Sequence, residues 1–547
     1  MDIGNLRSSR RQVIRAPLLP ALMVAFAFAL LAFGGSPVAH AMVLAAQAGK
    51  PSGTVKIAEL EPDYLIPGNA QLAYDEMHAL YAPLTKVNDK GKLVMVQAQS
   101  VTSSDQKTWT VKIKPGWTFS NGEAVTAQSY VDAINATAYA PNAWGNNGEL
   151  NEIQGYSQLN PTSGTPTTNK LSGLTVVNTD EFQVTLTSPD SQFPLELGGD
   201  LAFEPLPSVA YQNLTQFNLD PVGDGPFEMV QPWQKNVQLV LKAYPGYGGS
   251  DKPKVENLVF KVYSDIDTAL TDMQASNVDI TSIGQNLYAK AKQDFPKGFI
   301  AFNAPAIDYL GFPIYDPRFK NIKVREAFSM AINREAINKA LFDGVLTPAT
   351  NITPPSEQGS PVNVCPYCKY DPKQARKLLS EAGGWSGPLV ITYPSGAGYD
   401  QTFQAIGNEL RQNLGIQDIT YSTSPFPQFL QQVLNHKIQG PMRGHWGALY
   451  PSMQNTLVSL YSSGSQWEAT TNYSSPQVDN LISEGNGAPT PAKAESYYRQ
   501  AEKVIMDNFP VAPLFFGKYV YAHDSHVSNV IIDTNQIELT NLTAASS

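Results

Sequence analysis

The sequence predicts an α/β protein built as two or three lobes, and three observations lead there. At 547 residues the chain exceeds what one hydrophobic core serves, so several lobes are expected. Strand-like alternation recurs along it, as where Trp109, Val111 and Ile113 interleave with Thr110, Lys112 and Lys114. Helical periods lie between such strands, as where Ala127, Tyr130, Val131 and Ile134 fall on one helix face behind Thr126.

Composition narrows the class. Hydrophobic residues make up 42% and charged ones 16%, which excludes a disordered chain, and 10% aromatics leave rings to line a cleft. Residues 1–41 read as an export signal: Arg7, Arg10, Arg11 and Arg15 precede an apolar run at 21–33, and small residues end in Ala39-His40-Ala41. An uncleaved anchor is the competing reading, although thirteen apolar residues fall short of the roughly 20 that span a bilayer. No cysteine stands near the cleavage point, so a lipid-anchored form is not expected. Export to the periplasm or the outer face of the cytoplasmic membrane follows. Without residues 1–41, 34 basic side chains face 47 acidic ones, and nucleic acid is not an expected partner.

Taken in order, Thr54-Val55-Lys56-Ile57-Ala58 is the first strand, running into Glu61-Pro62-Asp63-Tyr64. Strand carboxyl ends face the ligand crevice in open α/β sheets, which makes Glu61 and Tyr64 candidate site residues. A plain turn capping the next helix is the other reading. Phe182, Val184 and Leu186 alternate as a strand, as do Val237, Leu239 and Leu241. In Asp220-Pro221-Val222-Gly223-Asp224-Gly225-Pro226-Phe227 the two glycines are expected to supply positive φ at a re-entrant turn, not a phosphate site. Val324, Ala327, Phe328 and Ala331 form one helix face, from which Arg325 and Glu326 are expected to point into solvent. The helix after it is fully punctuated, with Asp371 as N-cap, Pro372 at N1, Gln374 at N3 and Gly383 to stop it.

The two cysteines stand together as Cys365-Pro366-Tyr367-Cys368. The spacing also occurs in redox sites, but here it follows a proline-rich loop and precedes an independently capped helix. A local disulfide in an oxidising compartment is the preferred account. Zinc would need two more ligands and no further cysteine exists to supply them.

The stretch at residues 444–455, Gly444-His445-Trp446-Gly447-Ala448-Leu449-Tyr450-Pro451-Ser452-Met453-Gln454-Asn455, reads as a loop at a strand end where backbone amides can face a ligand. An ordinary surface loop is the alternative from composition alone. Here the chain resembles the family 5 extracellular solute-binding proteins, the oligopeptide- and dipeptide-binding subunits of ABC importers. Their Trp-x-Gly/Ala-Asp-Tyr segment is matched at Trp446, Ala448 and Tyr450 and departed from at Leu449. Further motifs carry the resemblance over nearly the whole mature chain: residues 109–134, the Pro-Val-Gly-x-Gly-Pro turn at 221–226, "FKNIKVREAFSMAINREAI", "YDPKQARKLLSEAG" and "FPVAPLFFGKYVYAHDSHVSNV".

This resemblance implies a type II periplasmic-binding-protein fold, two lobes around a hinge with an additional third lobe. The expected division is a discontinuous first lobe at 42–92, 204–303 and 512–547, an extra lobe at 93–203, and a ligand-closing lobe at 304–511 that opens near Tyr309. It implies Trp446, Gly447, Ala448, Leu449, Tyr450 and Tyr309 as ligand-binding residues, alongside Glu61 and Tyr64. A monomer that hands a peptide or small solute to the transmembrane subunits of an ABC permease is the expected function. Oligosaccharides, metal complexes and haem are the alternative ligands. Peptide-binding relatives place an aspartate, which pairs with the ligand's α-amine, where this chain has Leu449.

A secreted hydrolase is the rival class. G-x-S-x-G, H-E-x-x-H and a Walker loop are all missing from the sequence, so no catalytic residue is assigned. His523 and His526 lie three apart without a carboxylate at ligand spacing, and neither a metal nor a cofactor is expected.

Overall fold

A computed structural model describes residues 50–545, apart from 89, 200, 396–397 and 534–535. The export signal at 1–41 lies outside the described residues. Strands and helices are mixed throughout, as the α/β expectation requires.

One eleven-stranded sheet organises the molecule. Its order is Ile419–Ser424, Leu389–Pro394, Met442–Gly447, Phe299–Gly311, Val511–His523, Ile280–Ser282, Thr54–Leu60, Asn257–Tyr263, Gln238–Ala243 and Phe227–Met229, with Thr347–Pro348 paired to Val511–His523 off this path. Phe299–Gly311 and Val511–His523, each of 13 residues, are long enough to serve both halves of the sheet. They pair antiparallel from Phe299↔Ala522 to Asn303↔Lys518, break register, and resume from Ile307↔Phe516 to Gly311↔Val511. Such an irregularity bends a strand pair locally.

The sheet's two halves carry separate cores. Val55, Ile57, Leu239, Leu241, Leu258 and Phe260 bury one face together with Met77 and Leu80 of the Tyr74–Leu80 helix. Leu310, Phe328, Leu389, Ile391, Leu457 and Leu514 belong to the other. A third core sits under a four-stranded antiparallel sheet, ordered Ala98–Thr102, Thr108–Ile113, Glu181–Thr185, Leu174–Asn178. There Trp109, Val111, Ile113, Phe182 and Val184 meet Tyr130 and Ile134 of the Ala127–Ala138 helix.

Local signals translate directly. Thr126 closes a capping box with Ser129, and the Asp371 carboxylate accepts from the amides of Lys373 at 3.1 Å and Gln374 at 2.9 Å. Cys365 and Cys368 are joined, with their Cα atoms 5.4 Å apart.

Three expectations are corrected. Arg325 and Glu326 do not face solvent: both are buried, because the Ile322–Met330 helix packs on the sheet with one side and on the Pro372–Glu381 helix with another. The Arg325 guanidinium donates to the carbonyls of Phe319, Lys320, Asn508 and Phe509, so backbone oxygens take the place of water. Gly223 and Gly225 do not adopt positive φ. They are required by close approach, since a Cβ would lie 1.8 Å from the Leu80 carbonyl oxygen at position 223 and 2.5 Å from the Tyr81 nitrogen at 225. Val237 precedes the Gln238–Ala243 strand and is 56% exposed, unlike the fully buried Leu239 and Leu241.

Candidate functional site

The stretch read as a loop begins as a strand. Met442–Gly447 pairs antiparallel with Phe299–Gly311, residues 448–452 turn away, and Ser452 caps the Met453–Tyr461 helix through the Gln454 amide. The Ala448 amide bonds the Pro305 carbonyl at 2.8 Å. Antiparallel alternation then directs the backbone groups of Trp446 and Gly444 toward the same partner strand and those of His445 and Gly447 away from it. On that far edge, Leu389–Pro394 pairs with the strand at Met442 alone among the described residues. His445 and Gly447 therefore present amide and carbonyl groups along an edge with which no other described residue pairs. Gly447 is exposed, and a Cβ there would meet nothing nearer than the His445 ring at 3.9 Å.

Trp446 is half-buried, edge-on to Trp467 with ring centroids 6.2 Å apart, and donates through Nε1 to Asn455 Oδ1 at 3.1 Å. Ala448 is buried. Leu449 is half-buried among Val87, Leu93, Leu195 and Tyr450, with its carbonyl against Gly199. Tyr450 is buried, and its hydroxyl lies 3.1 Å from Glu196 Oε1, so this ring is committed to the Phe193–Gly199 helix. Tyr309 is buried opposite Gly444, where a Cβ would fall 1.9 Å from its ring. Across the sheet, Glu61 accepts from the Asn236 amide at 2.8 Å, and Tyr64 is 43% exposed at the carboxyl end of Thr54–Leu60. Leu60 beside it is 48% exposed, so this end offers apolar surface.

Sequence reasoning did not find a charged group beside the strand. Asp308, opposite His445 in the ladder, holds the His445 ring at 2.9 Å and Arg443 at 3.3 Å. Burial pushes the Asp308 carboxyl up, but His445 and Arg443 outweigh it and hold it below the usual range. The Arg443 guanidinium also lies over the Tyr399 ring, 4.3 Å from its centroid, and its buried Nε has no hydrogen-bond partner among the described residues. A small cleft opens here, lined by Gln285, Asp308, Tyr309, Tyr399, Arg443 and Phe515. No sequence signal could have joined these residues, because Asp308 and Arg443 are 135 positions apart and meet through strand register alone.

Two half-sheets joined by a pair of long strands are the frame of the type II periplasmic-binding-protein fold. The chain belongs to the bacterial extracellular solute-binding proteins, family 5, whose model matches residues 92–468. It is 27% identical over 354 residues to the dipeptide-binding protein of Escherichia coli K12, covering 61% of this chain and 64% of that one, just under two thirds of its length. To the oligopeptide-binding protein OppA of Bacillus subtilis it is 24% identical, over 88% of this chain and 91% of that one. The solved murein tripeptide binding protein MppA of Escherichia coli shares the fold with a TM-score of 0.72 at 20% identity, over 91% of this chain and 99% of that one.

Proposed function

We propose that this chain captures a peptide or peptide-like solute in extended form along the free edge of Met442–Gly447 and delivers it to the permease of an ABC importer. The carrying observation is that edge. Paired amide and carbonyl groups at His445 and Gly447 suit an added strand, which gains affinity from main-chain hydrogen bonds whatever its side chains. Glu61, Tyr64 and the exposed Leu60 form the facing wall in this reading, and Trp446 flanks the ligand. Arg443 and the cleft beside it receive an acidic or terminal carboxylate group, for which a planar guanidinium is suited. The lobe divisions at 92/93, 203/204, 303/304 and 511/512 belong to the same proposal, as does export directed by residues 1–41. Among the described residues no helix is long and apolar enough to cross a membrane.

Native mass spectrometry of unrefolded protein tests the ligand class, followed by calorimetry with tri- to pentapeptides. A co-purified peptide is expected. Gly447→Pro, which removes one edge amide, should weaken binding about tenfold, as one hydrogen bond of about 1.4 kcal/mol implies. A co-purified oligosaccharide or haem, with no peptide binding at millimolar concentration, would overturn the reading.

A further inference from the structure

Behind the pocket segment, two carboxyl groups and two neutral side chains close a ring. The Tyr450 hydroxyl lies 3.1 Å from Glu196 Oε1 and 2.5 Å from Gln454 Oε1. Gln454 Nε2 reaches Asp190 Oδ2 at 2.9 Å, and Asp190 hydrogen-bonds back to Glu196. Four contacts need four hydrogens. The hydroxyl supplies one, and the amide fills one contact whichever way it is turned, because it donates from one side and accepts on the other. Sharing the hydroxyl between Glu196 and Gln454 still leaves the Asp190–Glu196 contact, which only a proton on one of the two carboxyl groups can fill. With both ionised, that contact would set oxygen against oxygen.

The surroundings favour retention of that proton. Asp190 is fully buried, which raises it above its ordinary range even though the Gln192 amide, donating to it at 2.7 Å, favours the ionised form. Glu152, the third acid acting on the ring, is itself pushed up to about 7 by burial and by Asp190. Burial raises Glu196 well above the carboxylate range, and the two acids that act on it, Asp190 and Glu152, would repel its charge whenever they are ionised. Tyr498 approaches Asp190 from the Pro491–Asn508 helix and is neutral at physiological pH. On the far side of Tyr450, His78 and Lys86 line a cavity with Leu449, and Lys86 is held by Glu538 at 2.7 Å.

We propose that Asp190 and Glu196 are positioning residues that dock the pocket segment on the Phe193–Gly199 helix by holding a proton in this ring, so that the docking is proton-linked. The link reaches the candidate site directly, because Asn455 bonds both Tyr450 and the Trp446 indole. Its consequence for ligand uptake, weaker capture as pH rises, rests on the site reading given above; the ring itself does not.

Urea unfolding of the full chain between pH 5 and 8 provides the test, comparing the protein with Glu196→Gln and, independently, Asp190→Asn. A carboxyl that keeps its proton when folded and loses it when unfolded makes the unfolding constant rise about tenfold per pH unit, from its unfolded pKa up to its folded one. The protein should therefore lose stability with rising pH more steeply than either variant, by up to tenfold per unit. Hydrogen-exchange protection at 449–455 should fall with pH in the protein and stay level in Glu196→Gln. Parallel pH profiles in both variants would overturn the proposal. No ligand enters these measurements, so parallel profiles would leave the site reading standing, and failure of peptides to bind would leave the ring standing.

Discussion

The Asp308 carboxylate and the His445 ring face each other across two antiparallel strands, 2.9 Å apart, although 137 positions separate them in the chain. Arg443 shares the same carboxylate oxygen. One acid thus fixes both side chains that flank the open strand edge.

Asp308→Asn should cost about 1–3 kcal/mol at pH 7, the range for losing a charge-assisted hydrogen bond at a half-buried site. Because the folded carboxyl is held below its ordinary range, its stabilisation is present above the unfolded pKa of about 3.9 and is lost as pH falls through the folded value. Urea titrations at pH 7 and at pH 3 should show the difference between protein and variant shrinking at the lower pH. A difference that is the same at both would count against the ion pair.

The Cys365–Cys368 bond closes a ring so small that chain entropy limits its worth to about 2 kcal/mol. Reduction should shift the urea midpoint slightly and leave the fold intact. Mass analysis after alkylation, without reductant, is expected to find neither cysteine modified. Two alkylated thiols in protein recovered from an oxidising compartment would sink the pairing.

Ligand should change both tryptophan emission and small-angle scattering, because Trp446 flanks the strand edge and the two halves of the sheet are joined where register breaks between Asn303 and Ile307. Trp446→Phe should remove most of the emission change and keep the scattering change. A saturating ligand that alters neither would exclude closure about these strands.

What the sequence could and could not reveal follows from the range of each signal. Thr126 and Asp371 cap helices through residues two or three positions away, and the Trp109, Val111 and Ile113 alternation needs only its own strand. Those features were legible. Arg325 was misread because helical period cannot report that a second element covers the polar side, and carbonyls at 508 and 509 come from a distant helix end. The Gly223 and Gly225 turn was recognised, yet its cause is the backbone of Leu80 and Tyr81, some 140 residues earlier. The Asp308, Arg443 and His445 group and the Asp190, Glu196, Tyr450 and Gln454 ring both depend on long-range pairing and left no mark in local pattern.

The family resemblance implies that Leu449 takes the place of an aspartate that pairs with the ligand's α-amine in peptide-binding relatives, and here it packs among Val87, Leu93, Leu195 and Tyr450. Leucine cannot accept that hydrogen bond, and the nearby acids Asp190 and Glu196 are occupied by Gln454, Tyr450 and each other. An ammonium brought to this end would forgo a charge-assisted bond of about 1.5–3 kcal/mol, one to two decades of affinity, and would bear a desolvation cost besides. Acetylating the N-terminus of a bound peptide should therefore weaken binding less than about tenfold. Leu449→Asp should create a preference for the free amine, and should also lower stability, since it places a carboxylate among apolar side chains. Calorimetry on paired free and acetylated peptides decides the matter. A hundredfold loss on acetylation in the unaltered protein would show that a different carboxylate receives the amine.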